Sequence, residues 1–229
     1  MRGMGRTTKP ASPREFTQPR LVGDIVGLLA ALPHERAVIC GHDWGAPVAW
    51  NCALMRPDLF YAVIGLSVPF YGARTTFAYD HSIPPSQAME KETGPEGFHY
   101  QLYFNEVGRA EADLNRNPRD WLNGFFFTAS GDAPAEEVTL GERKRGDALH
   151  EAFAPFRGSK ISVPAYFIAG DSDLVILMNE EITENFPNEV SDLRGNVRLP
   201  GCGHWTQQER PEEVNQHMLA FLDDVATRG

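Results

Sequence analysis

The run Ile39-Cys40-Gly41-His42-Asp43-Trp44-Gly45-Ala46-Pro47 decides how this chain folds. Ala37-Val38-Ile39-Cys40 is a short apolar segment of the kind that forms a strand buried on both faces, and it ends at Gly41. Beyond Gly45, Val48, Ala49, Cys52, Ala53 and Met55 recur at helical spacing until Pro57. Strand, sharp turn and helix in that order describe a G-x-nucleophile-x-G elbow with Asp43 at its centre. Glycines at the flanking positions let strand and helix pack closely behind a strained central residue. The following helix aims backbone N–H groups at the charge developing there. A plainer reading makes Asp43 a helix cap, and the motif alone does not choose.

Working outward, Leu21, Val22, Ile25, Leu28, Leu29 and Leu32 predict a helix from Gln18 to Leu32, ended by Pro33 and preceded by an irregular lead-in over 1–17. Strands are expected at Tyr61–Val68, Val163–Ala169 and Asn196–Leu199, with a final helix over Pro211–Val225. This alternation predicts a mainly parallel sheet with helices on both faces. Residues 71–160 differ, with Pro and Gly clusters, helical patches at Tyr100–Glu111 and Arg119–Thr128, and a polar stretch from Ser130 to Glu142. The expected organisation is core over 1–70, an inserted helical cap over 71–160, and core again over 161–229.

Two more segments end strands. Asp171-Ser172-Asp173 follows one and Gly201-Cys202-Gly203-His204-Trp205 follows the last, so Asp173 and His204 join Asp43 at the carboxyl edge of the sheet. The order nucleophile, acid, histidine is that of a hydrolytic triad. Separately, Asp173 reads as a helix cap and His204 as a loop histidine; three such placements in order make coincidence a poor explanation.

Composition narrows the classes. The 229 residues carry 21 Lys and Arg against 31 Asp and Glu, a net charge of −10, which disfavours nucleic-acid binding. Three cysteines (Cys40, Cys52, Cys202) without CxxC spacing fit a reducing compartment, and the cytoplasm is the expected location. Leu21 to Leu32, the best apolar stretch, is interrupted by Asp24 and too short to span a membrane. His34, His81, His99, His150 and His217 show no metal-ligand spacing, His42 reads as structural, and no metal is expected. The Glu142-Arg143-Lys144-Arg145 run reads as solvated surface.

The sequence resembles the epoxide hydrolases of the α/β-hydrolase fold. The resemblance is carried by Gly41-His42-Asp43-Trp44-Gly45, by Gly203-His204-Trp205-Thr206-Gln207-Gln208-Glu209-Arg210-Pro211, and by Tyr100-Gln101-Leu102-Tyr103-Phe104. With the strands between, these segments cover most of 1–130 and 160–225. The resemblance implies that Tyr100 is one of two cap tyrosines that protonate the leaving oxygen. The segment that should supply the second is missing: no tyrosine occurs from Ala133 to Val163, so this part of the cap reads as shortened, and Tyr103 reads as packing. Met1-Arg2-Gly3-Met4-Gly5-Arg6-Thr7 resembles the Arg-Gly-x-Gly segment that follows the fourth strand in relatives. The sheet is therefore expected to lack its first strands and a His-Gly-x-Pro oxyanion loop, leaving the Trp44 backbone N–H as the surviving donor. Ala37–Cys40 becomes an exposed apolar edge that a second copy of the chain could cover.

Aspartate at the elbow has its own consequence. A carboxylate is ionised at neutral pH and attacks without a base. Its attack on saturated carbon gives an alkyl ester, which water activated by His204 and Asp173 can hydrolyse. The expected substrate is a small apolar epoxide, the product a vicinal diol, and no cofactor is required. Trp44 and Trp205 are candidates for the pocket lining, with core packing as the alternative. Two rivals remain at this point: a haloalkane or haloacid dehalogenase with the same triad, and a catalytically impaired relic or interaction protein.

Overall fold

The computed structural model describes residues 1–72, 86–87, 90–91, 94, 100–133, 155–156 and 158–228. The run from Pro134 through Arg145, and His81, His99 and His150, lie outside the described residues. Helix α1 (Gln18–Ala30) leads into strand β1 (Ala37–His42), helix α2 (Gly45–Met55) and strand β2 (Phe60–Leu66). Helices α3 (Tyr100–Asn105), α4 (Arg109–Arg116) and α5 (Pro118–Thr128) lie between β2 and strand β3 (Ile161–Gly170). Helices α6 (Leu174–Met178) and α7 (Glu180–Asn185), strand β4 (Val190–Leu199), and helices α8 (Thr206–Glu209) and α9 (Pro211–Arg228) complete the chain.

Among the described residues the strands form one parallel sheet in the order β1-β2-β3-β4. Parallel pairing brings every strand's carboxyl end to one edge, and Gly41 pairs with Gly65 as Leu66 pairs with Ile168. Alternation along β2 and β3 then sorts side chains to two faces. Val63, Ala165, Phe167 and Ala169 pack with Trp50, Ala53 and Phe186 on one face. Ala62, Ile64, Leu66 and Ile168 pack with Val214, Phe221 and Val225 of α9 on the other. Helix α1 lies outside α2, where Val22 and Leu29 meet Val48 and Cys52.

Among the described residues strand β1 is the sheet edge that the resemblance leads one to expect, not the strand buried on both faces that its apolar run alone suggests. It continues to His42, and it is half-buried with Cys40 exposed, because among the described residues only β2 pairs with it. Helix α2 behind it is buried from Ala46 to Leu54. Its Trp50 is fully buried, donates from Nε1 to the Val68 carbonyl at 3.0 Å, and crosses β2 where a Cβ on Gly65 would come within 2.2 Å of the indole. Truncating such a side chain to alanine typically costs about 3–5 kcal/mol.

The expected helical patch Tyr100–Glu111 is two helices, because Gly108 takes a left-handed φ of 89° between α3 and α4. Just past α5 the chain packs closely on the loop that bears His204. A Cβ on Gly203 would lie 2.3 Å from the Gly131 nitrogen, so only glycine permits that approach. The lead-in is turns and one 3₁₀ turn (Pro13–Phe16), held by Arg2, which pairs with Asp24 at 2.6 Å and Glu15 at 3.2 Å. Among the described residues, no helix is long and apolar enough to cross a membrane, and no three His, Cys, Asp or Glu are grouped to hold a metal.

Candidate active site

Asp43 follows β1 with φ of 50°, a conformation that asparagine and aspartate tolerate better than other non-glycine residues. The two flanking glycines are not equivalent. A Cβ on Gly41 would meet the Gly45 carbonyl oxygen at 2.2 Å, whereas one on Gly45 would meet nothing within 4 Å. The close approach that both were expected to serve therefore constrains Gly41 alone. The N-cap of α2 is Trp44, so Asp43 is not the cap of that helix. The Trp44 backbone N–H donates to the Asp43 carboxylate.

His204 Nε2 lies 3.1 Å from Asp43 Oδ1, and His204 Nδ1 lies 3.0 Å from Asp173 Oδ1. Asp173 is fully buried, His204 is buried, and the Asp43 side chain keeps 34% of its exposure. The two readings of Asp173 hold together: the same Oδ1 accepts from the Val175 N–H at 2.9 Å, capping α6, and from the imidazole. The cap fixes the carboxylate, and the carboxylate fixes the ring.

The charges respond to this geometry. Burial opposes a charge on His204, but hydrogen bonds to Asp173 and Asp43, and the charges of both, outweigh it and raise the imidazole to about 10. Burial likewise works to raise Asp43. The His204 hydrogen bond and charge and the Trp44 N–H overcome that and hold it below the usual carboxylate value. Both shifts favour the carboxylate form of Asp43 and the imidazolium form of His204.

His42, read from the sequence as structural, and Ser67, to which the sequence reading gave no role, hold the His204 backbone. His42 Nε2–H and Ser67 Oγ–H both donate to the His204 carbonyl at 2.8 Å. Because a carbonyl only accepts, the proton of His42 sits on Nε2. Burial pushes the His42 pKa down, which favours its neutral form. Ser67 is buried with a positive φ of 67° just past β2; its place in Ser67-Val68-Pro69 was the available signal.

The remaining candidates are placed differently. Trp205 touches the rings of His204 at 5.1 Å, His42 at 5.7 Å and Phe126 at 4.7 Å, and its Nε1 donates to the Phe126 carbonyl at 3.0 Å. Trp44 is 48% exposed, which removes core packing as its role. Tyr100 is 41% exposed on α3, where its oxygen accepts from Gln101 Nε2 and its ring meets Phe104. Phe104 touches Phe125, which touches Trp205, so an aromatic chain joins α3 to the histidine loop. Tyr103 donates to Asp113 at 2.9 Å, in keeping with packing.

The chain matches the alpha/beta hydrolase fold family over residues 1–211. It is 34% identical to epoxide hydrolase A of Mycobacterium tuberculosis, with 99% of this chain and 81% of that protein covered. It is 30% identical to an epoxide hydrolase of Caballeronia sordidicola, with 98% and 78% covered. A solved epoxide hydrolase from an endophytic Streptomyces aligns with a TM-score of 0.79 at 30% identity, covering 99% of this chain and 80% of that one. The chain belongs to the α/β hydrolase fold family, and within it to the epoxide hydrolases. The first alignment runs over 271 positions against 229 residues, so that relative carries internal segments that this sequence lacks.

Proposed function

We propose that this protein opens small apolar epoxides to vicinal diols through an ester formed on Asp43. Asp43 attacks a ring carbon, a C–O bond of the ring breaks, and the departing oxygen takes the Tyr100 hydroxyl proton. The imidazolium proton of His204 then replaces it through solvent. Ester formation removes the Asp43 charge and hydrogen bond, two of the causes that raise His204, so the ring becomes a base when a base is required. Neutral His204 takes a proton from water, and the oxygen adds to the ester carbonyl while the Trp44 N–H receives the oxyanion. Collapse releases the diol alkoxide, which takes the new carboxyl proton. Asp43 and His204 are left charged as at the start.

The observation that carries this reading is the 3.1 Å contact of His204 Nε2 with Asp43 Oδ1, backed by the 3.0 Å contact with Asp173. In the same reading 71–160 is the cap, Trp44 and Trp205 line the pocket, and the three free cysteines fit a reducing compartment. The test is diol formation from styrene oxide by the purified chain, set against halide release from a chloroalkane. Diol without halide is expected. Halide without diol would replace this reading with a dehalogenase, and silence in both with a relic.

A further inference from the structure

Glu209 ends α8, where a negative charge opposes the helix dipole. Its carboxylate turns back instead and gathers three backbone donors. Oε2 accepts from the Gly203 N–H at 2.8 Å and the Gly131 N–H at 2.9 Å, and Oε1 accepts from the Trp205 N–H at 3.0 Å. The His204 N–H between them donates to the Ala129 carbonyl at 2.8 Å. Every backbone donor from Gly203 to Trp205 is thereby taken up, two by Glu209 and one by the Ala129 carbonyl that follows α5. The same carboxylate ties Gly131, which follows α5, to the loop bearing the histidine. A Cβ on Gly131 would lie 2.9 Å from the Gly203 nitrogen and one on Gly203 2.3 Å from the Gly131 nitrogen, so the two backbones are packed too closely for a side chain on either.

We infer that Glu209 is a positioning residue, which seats the histidine loop and the end of the inserted helices as one unit and so aims His204 Nε2 for the water step. A charged acceptor is needed because three amide donors converge on two oxygens, and each such bond is stronger to a carboxylate than to an amide. Glutamine presents one accepting oxygen and an NH₂ that faces donors, so at least one loop N–H loses its partner. The inference rests on His204 acting as the base of the proposed reaction.

Rapid-quench single turnover of styrene oxide by the full chain separates ester formation from ester release. In Glu209→Gln, release is expected to slow about 10²-fold, as for a misplaced catalytic group, while ester formation stays near the parent rate. The ester therefore accumulates. Glu209→Asp keeps the charge on a shorter arm and should release at a rate between the two. A structural role alone lowers both steps together, so a parent-like ratio of the two rates in the variants overturns the assignment. If Glu209→Gln does not fold, Glu209→Asp decides by the same ratio. If the parent forms no ester, the covalent reading fails separately. Glu209 is then judged by the downfield Nδ1–H resonance of His204, expected sharp in the parent and broadened in Glu209→Gln. Equal sharpness overturns the positioning role.

Discussion

Asp43 stands at the end of a strand paired on one side among the described residues, whereas Asp173 follows β3, which is paired on both. Its side chain is a third exposed, while Asp173 is sealed. Steric pressure at Gly41 shapes the Asp43 turn, and the charge of Asp43 is balanced by the His204 imidazole and the Trp44 N–H. On the other side, His42, Ser67, Asp173, Ala129 and Glu209 together fix the backbone and ring of His204. The difference teaches where each kind of damage should fall. Changes at Asp43 remove chemistry with little structural loss, and changes on the histidine side trade chemistry against packing.

The largest effect is expected for Asp43→Asn. Asparagine tolerates the left-handed backbone, so circular dichroism should match the parent while diol formation drops by up to about 10⁶-fold, as for a deleted nucleophile. Folding lost along with activity would break the contrast between the two sides. Next is Asp173→Asn, which keeps a side-chain oxygen for the α6 cap but can present the wrong partner to Nδ1. Ester release should slow by about 10⁴-fold with ester formation preserved, seen as a burst in rapid quench. Gly203→Ala drives a methyl against Gly131 and Ala129, and thermal unfolding should show a loss of about 1–3 kcal/mol with slower release.

The pH dependence is smaller. His204 is raised from its ordinary 6.5 to about 10 in the folded chain, so its stabilising share is full below about 6.5. It is lost as pH rises through about 10, and Tm should decline across that window. In Asp43→Asn one of the two raising partners is gone and the decline should be shallower; identical slopes would contradict the pairing. Smallest is Gly45→Ala, where a methyl meets open space and only the unfolded chain loses freedom. A neutral change or a gain of up to about 1 kcal/mol is expected.

Much of this was legible in the sequence because it is local. Apolar runs bounded by Gly and Pro placed β1, α2 and the final helix, and three strand ends located Asp43, Asp173 and His204. Boundaries were less legible: β4 begins at Val190, six residues before its apolar portion at Asn196, because its first half pairs with β3 through half-buried positions. Sheet position was legible only through the family resemblance, since an edge strand and a central strand share the pattern Ala37–Cys40. Ser67 and Glu209 were invisible to spacing arguments because their partners lie far along the chain. Ser67 bonds a carbonyl 137 positions away, and Glu209 reaches Gly131 across 78. Within the quoted Gly203–Pro211 motif, residue type suggested a role only for His204 and, as a pocket candidate, for Trp205.

The most direct measurement is a single turnover of styrene oxide in ¹⁸O-water with excess enzyme, followed by mass spectrometry of the peptide containing Asp43. Water attack on an Asp43 ester leaves one heavy oxygen in that carboxylate, so a gain of about 2 Da confined to this peptide is the expected result, from the ester-splitting step of covalent catalysis. Diol formed with the heavy oxygen in the product and none in Asp43 would mean that water opens the ring directly, and the carboxylate never bonds to carbon.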